Sequence, residues 1–474
     1  MLAIILDSLT RYGFAVTSLS HRERVRVREL TLPIILSIFI FLPALCFARE
    51  NPQSQEPEKL KPIKHIIVFF LENHSFDNLF GTFPGANGLE NAKDIVQVDE
   101  NGKPYQTLPA ILNHKEIDKN FPLDLPNQPF LISKYAPSDQ KIGDPVHRFY
   151  QLQNQINGGK SDKFVVAGNS GGLPMGYYEE KNSPLWQYAQ KYTLADNFFT
   201  AAFGGSLLNH IWLICACTPY YPNPPQELLS VLDDKGNLIK DAPLTPDGYA
   251  VNTIKPVSMN YDAKIDRKLL LPLQNMPTIG DRLNEKNIDW AWYSGGWNNA
   301  DSGKPDKSFI YHHQPFTYFS NYAIGSEGRK KHLKDEEDFT AAIASGTLPA
   351  VSFYKPIGKF NLHPGYTDLK SGEEHVFNII KQIENSKIWQ DSLIIVTFDD
   401  AGGFFDHVAP PKIDRFGPGS RVPTIIISPY AKSGFIDNTL YDTTSILKLI
   451  ETKFALEPLG SRDAGAGDLL NALK

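Results

Sequence analysis

Short apolar runs that end abruptly in acidic or amide residues constrain this chain more than any other feature. Ile63–Leu71, Ile288–Tyr293, Ala350–Tyr354, Leu393–Phe398 and Val422–Ser428 are near-continuous apolar segments of strand length. Such runs are the mark of strands buried on both faces, as in parallel sheets. Between them lie helical patterns. Val376, Phe377, Ile379, Ile380 and Ile383 form one stripe. Ile446, Leu447, Ile450 and Phe454 form another, behind a cap at Asp442 or Thr443. Strands alternating with helices predict an α/β fold, doubly wound, with a mostly parallel sheet and helices on both faces. In such sheets function gathers just past the carboxyl ends of the strands.

Two strand ends carry chemistry. Leu71 is followed by Glu72 and Asn73, and Phe398 by Asp399 and Asp400. Oxygen donors at neighbouring strand ends can converge on a divalent cation. Taken singly, each pair also reads as a cap or turn. A third segment, Phe203-Gly-Gly-Ser-Leu-Leu-Asn-His210, leads into the apolar stretch Ile211–Ala216. Ser206 therefore opens a helix, with Asn209 and His210 on its face. A helix N-terminus presents free N–H groups and a positive dipole end, which suit a phosphate. A metal beside the hydroxyl would make Ser206 a nucleophile.

A second serine competes. Gly168-Asn-Ser170-Gly-Gly172 matches G-x-S-x-G after a possible strand, Lys163–Ala167. A nucleophile elbow requires a helix next, and Leu-Pro-Met-Gly is a poor one. Among the 12 histidines, His147, the pair His312-His313, His363 and His407 lie in Gly-, Pro- and Asp-rich surroundings. There imidazoles can contact phosphoryl oxygens or protonate a leaving oxygen.

Composition sets the outer limits. The chain has 474 residues, 42% hydrophobic and 21% charged, enough to bury a large core. Its net charge of −6 offers no basic excess for a nucleic-acid partner. The cysteines are Cys46, Cys215 and Cys217. The last two are so close in sequence that no disulfide framework is expected. Residues 1–48 read as a leader whose signal core spans 22–48: an Arg-rich cluster, an apolar run and a small-x-small end at Cys46 and Ala48. An uncleaved membrane anchor is the alternative. Residues 49–60 read as a linker and 61–474 as one catalytic domain, with a variable insertion at about 219–345. The expected location is secreted or periplasmic.

Five ordered motifs carry a resemblance. IKHIIVFFLENHSFDNLFGTFPG, DPVHRFYQLQNQINGGKSDKFV, FGGSLLNHIWLICA, HPGYTDLKSGEE and VTFDDAGGFFDHVAPP resemble those of the bacterial phosphoesterase family of acid phosphatase A and the non-haemolytic type phospholipases C. That family is similar to the alkaline phosphatase superfamily. The resemblance implies metal ligation by Glu72, Asn73, Ser206, Asp399 and Asp400, with Ser206 as nucleophile. It implies phosphoryl contacts from Asn209, His147 and His363, and from His312 or His313. The implied cofactor is a divalent metal ion: zinc, calcium or another. The implied substrate is a phosphomonoester or a phospholipid, with transient contact at a membrane surface. His74 stands where the family commonly has Arg, and Ser161 where it often has Met. Two other readings stay open: a serine carboxylesterase using Ser170, and a non-catalytic protein that binds phosphate or a headgroup.

Overall fold

The computed structural model describes residues 56–474. The leader 1–48, with its signal core, lies outside the described residues, as does most of the linker. The linker's last residues are not loose: Glu58–Leu60 form a short turn and Leu60 is buried.

Eight strands make the central sheet: β1 His65–Leu71, β2 Thr193–Ala195, β3 Trp290–Ser294, β4 Leu333–Lys334, β5 Val351–Lys355, β6 Ser392–Phe398, β7 Thr424–Ile427 and β8 Phe435–Asp437. Their order is β4-β3-β5-β1-β6-β7-β2-β8. The β4-β3-β5-β1-β6 block is parallel throughout. β7 runs antiparallel to both β6 and β2, and β8 returns parallel to β2. The sheet is thus mostly parallel, but Val422–Ser428 was expected to be a parallel strand and is not. An apolar run reports burial on both faces and carries no information about direction.

β1 sits at the centre, pairing Ile66 with Val351 on one side and His65 with Ser392 on the other. From Ile66 to Leu71 it is wholly buried. The helices that matter for the site are α1 Phe149–Ile156, α2 Pro184–Lys191, α3 Ser206–Cys215, α4 Leu369–Glu384, α5 Thr444–Phe454 and α6 Ser461–Gly465. The stripe on α4 is buried as predicted. Asp442 caps α5, accepting from Thr444 N at 2.7 Å.

The stretch 219–345 supplies β3 and β4 to the main sheet. Two expectations are corrected. Lys163–Ala167 forms turns and no strand. Cys215 and Cys217 are joined by a disulfide across a Cα–Cα distance of 5.1 Å. The intervening Ala216 adopts a left-handed conformation (φ 48°) as the C-cap of α3. That bend brings the two side chains to one side, and sequence spacing does not disclose it.

Candidate active site

The carboxyl ends of β1, β5 and β6 lie side by side, so Glu72, Lys355 and Asp399 emerge from adjacent strands at one sheet edge. Glu72, Asn73, Asp399 and Asp400 are all essentially buried. Close above them begins α3. Gly205 caps it in an extended conformation, and a Cβ there would lie 2.8 Å from the His147 carbonyl oxygen. The glycine thus lets the helix start approach the His147 segment. On the other side, Gly402 (φ 60°) turns the chain back over Asn73, where a Cβ would meet the Asn73 carbonyl oxygen at 2.1 Å.

Ser206 occupies the first turn of α3. Its Oγ donates to Asp400 Oδ2 at 3.1 Å and accepts from Asn73 Nδ2 at 3.4 Å. Asp400 is fixed in turn, with Oδ1 accepting from Gly402 N at 2.7 Å. A cavity of about 340 Å³ opens onto this hydroxyl, and Glu72, Asp144, His147, His312, His363 and Tyr366 help line it.

The histidines divide by environment. His147 Nδ1 donates to the Pro145 carbonyl (2.7 Å), which leaves Nε2 beside Asn73. Burial works against its charge, but Asp400 and Asp144 outweigh it and raise His147 above the ordinary imidazole value. His363 Nδ1 donates to the Pro364 carbonyl at 2.7 Å, and its ring stacks on Tyr366. His313 lies with Nε2 against Glu72 Oε1. Burial pushes His313 down to about 4 despite Glu72, and His312 falls well below its usual value for the same reason. Both are therefore neutral donors or ligands near pH 7.

The donor set fits a cation. Burial, then the charge of Glu72, pushes Asp399 and Asp400 upward against the opposing pull of Lys355 on the first and His147 on the second. Burial would also raise Glu72, but Lys355 and His313 hold it well below the usual carboxylate range. The Asn73 amide is the telling group. With its nitrogen toward the histidines, its oxygen stands 3.0 Å from Asp399 Oδ1 and 3.2 Å from Glu72 Oε2, three acceptors with no proton between them. Turned round, the amide would donate to both carboxylates and accept from His147 and His363. The first arrangement is what a cation among oxygens requires. The second is what hydrogen bonding alone favours.

Not every expected residue meets the cavity. Asn209 is fully buried and turns to the loop before α3, accepting from Ala202 N (2.9 Å) and donating to Ala202 O (3.3 Å). It braces the Gly204-Gly205 approach rather than lining the pocket. Ser170 is also buried, and a single 3-10 turn, Leu173–Met175, follows it in place of the helix an elbow needs. His407 belongs to a separate buried network. Its Nδ1 donates to Asp77 Oδ2 (2.7 Å), while Arg421 bridges Asp77 and Asp406. His74, the departure from the common pattern, is buried against Asn78 and Leu362 and touches no proposed ligand.

Lys355 was missed. Its Nζ lies 2.9 Å from Glu72 Oε1 and 3.4 Å from Asp399 Oδ2, and the side chain is fully buried. The signal was present, since Lys355 directly follows an apolar strand just as Glu72 and Asp399 do. Lysine is not a metal donor, so a search for donors passes over it.

Buried acids able to gather a cation, facing a hydroxyl at a helix N-terminus, suit esters of phosphoric acid, and the chain is a hydrolase acting on phosphoric ester bonds. It belongs to the Phosphoesterase family, whose family model matches residues 63–457. Phospholipase C A of Mycobacterium tuberculosis is 25% identical over 459 residues, covering 88% of this chain and 78% of the relative. Non-hemolytic phospholipase C of Pseudomonas aeruginosa is 24% identical over 491 residues, covering 96% of this chain but 63% of that longer protein. Non-specific phospholipase C6 of Arabidopsis thaliana is 23% identical over 486 residues, covering 92% and 76%. Among solved structures, a protein in the alkaline phosphatase superfamily from Vibrio parahaemolyticus aligns with a TM-score of 0.34 at 11% identity, covering 72% of this chain and 74% of that one.

Proposed function

We propose that this chain is an exported, divalent-metal-dependent phosphoesterase of phospholipase C type, acting through a phosphoserine at Ser206. The observation that carries the reading is the position of Ser206: first turn of α3, hydrogen-bonded to Asp400 and within reach of Asn73, on the cavity wall. Glu72, Asn73, Asp399, Asp400 and Ser206 would hold the ion. When bound, it supplies positive charge that favours the ionised serine and the developing charge on the phosphoryl oxygens.

The chain's own groups do the rest. The free N–H groups of α3 face the phosphoryl group, where a helix N-terminus is worth most. Asp400 accepts the Ser206 hydroxyl and orients its lone pair for in-line attack on phosphorus. His147, whose charged form Asp400 and Asp144 favour, contacts phosphoryl oxygens. His363 and neutral His312 line the same cavity and offer N–H donors to the transferring group or to the leaving oxygen. Ser206 Oγ forms a bond to phosphorus as the ester oxygen departs with a proton. Water then attacks the same phosphorus, releasing the phosphoryl product and returning the proton to Ser206. Asn209 acts behind the loop as a positioning residue.

The relatives that are phospholipases C direct the substrate reading to phospholipids, and the Arg-rich then apolar leader directs the location to outside the cytoplasm. Acid-quenching during turnover should trap phosphate on the peptide that contains Ser206. A parallel screen of phospholipids and phosphomonoesters, with added divalent ions, should release diacylglycerol. Label on Ser170, or turnover of monoesters alone, would refute the mechanism or the substrate class respectively.

A further inference from the structure

Around Glu72 the strand ends hold further ligand-type side chains. Glu72, His210 and Asp399 each offer a donor atom within 4.8 Å of the others, and so do Glu72, His312 and His313. Carboxylates mixed with imidazoles form a donor set suited to zinc-like ions. His210 Nδ1 stands 3.5 Å from Asp399 Oδ2 and 2.7 Å from Ser206 O, so the ring sits against this group from the first turn of α3. Into this group β5 delivers Lys355. Its Nζ stands 2.9 Å from Glu72 and 3.4 Å from both Asp399 and the Leu71 carbonyl.

We propose that the Lys355 ammonium fills the position at which a second divalent cation would bind, so that the site is built for one exchangeable ion. This rests on the divalent-ion reading above and goes beyond it by fixing the stoichiometry and naming the residue that sets it. Charge supports it. Glu72, Asp399, Asp400 and the ionised Ser206 bring four negative charges, which one divalent ion, the Lys355 ammonium and a protonated His147 balance. Buried charges are tolerated only when so compensated. Two divalent ions together with Lys355 would leave an excess of positive charge in a dry site. Paired-metal phosphatase sites clamp attacking and leaving oxygens with two ions a few ångströms apart. Here the strand-end lysine supplies fixed charge on one side, and it does so from behind the ligands, since it does not line the cavity. Lys355 is thus a positioning residue that keeps Glu72 and Asp399 turned toward a single ion.

The test is metal counting, independent of turnover. The full-length mature protein is stripped with chelator, reloaded with excess Co²⁺, dialysed and analysed for cobalt per chain, with the visible spectrum recorded. Wild type and Lys355→Arg should hold one ion. Lys355→Ala should hold two and gain a second set of absorption bands, and Lys355→Ser serves if the alanine variant fails to fold by circular dichroism. Two ions in the wild type, or one in the folded alanine or serine variant, overturns the role of Lys355 alone. No ion in the wild type instead removes the divalent-ion reading, and this inference falls with it.

Discussion

Gly205→Ala tests whether the start of α3 must sit where the structure puts it. The backbone at Gly205 is extended (φ −97°, ψ −173°), so alanine meets no conformational barrier there. The added methyl does meet the His147 carbonyl oxygen at 2.8 Å and the His147 ring at 3.4 Å. A carbon and an oxygen in ordinary contact need roughly 0.5 Å more than that first distance, since dispersion turns to repulsion at such range. One of the two segments must retreat, and each carries a functional group: Ser206 on one, His147 on the other. A misplacement of about 1 Å costs on the order of 100-fold in rate. Half of that shift should lower kcat/KM about tenfold, or about 1.4 kcal/mol of barrier. Overpacking should also lower stability by about 1–3 kcal/mol. The assay is hydrolysis of a chromogenic aryl phosphate ester, read with a thermal melt. Gly465→Ala is the control, because a Cβ there has nothing within 4 Å. If Gly205→Ala keeps wild-type kcat/KM and melting temperature, the close approach of α3 to His147 is not what positions the nucleophile.

Other expectations follow from the same geometry. Ser206→Ala should reduce phosphate-ester turnover by several orders of magnitude, whereas Ser170→Ala should stay near wild type; steady-state kinetics on both decides between the two serines. Asp400→Ala should lose bound metal together with activity while circular dichroism stays unchanged, and full metal content in that variant removes Asp400 from the ligand set. Glu373 on α4 is pushed up to about 8 by burial, reinforced by Glu180 and Glu374 and opposed by hydrogen bonds from Ser183 and the Leu185 backbone. A group held protonated in the fold gives its full stabilisation below the unfolded carboxyl value of 4.5 and loses it as pH climbs toward about 8. The melting temperature should therefore fall across that window in the wild type and stay flatter in Glu373→Gln.

The strand ends were the legible part of the site. Glu72, Asn73, Asp399 and Asp400 were found because an apolar run that stops at a carboxylate leaves a donor at a sheet edge, and parallel strands bring such edges together. Ser206 was found because two glycines followed by an apolar helical stretch define a helix start. What stayed hidden depends on contacts between distant segments. The antiparallel direction of β7 is set by its neighbours, not by its apolar residues. The inward turn of Asn209 depends on the path of the loop at Ala202–Gly205. The Cys215–Cys217 pairing depends on the left-handed Ala216. His312 and His313 come from a stretch read as insertion, yet His313 reaches Glu72, because β3 threads that stretch into the main sheet.

The central place of β1 bears on how the chain is made. β1 is the first strand of the sheet to leave the ribosome, but its partners β5 and β6 are the fifth and sixth of the eight, about 280 and 320 residues later. Until Val351 and Ser392 have been synthesised, both edges of an apolar strand stay open. Such edges are templates for wrong pairing. The nascent chain should therefore depend on a holding factor for most of its translation. On the site proposed above, it should also carry no hydrolytic activity until Asp399 and Asp400 arrive behind β6.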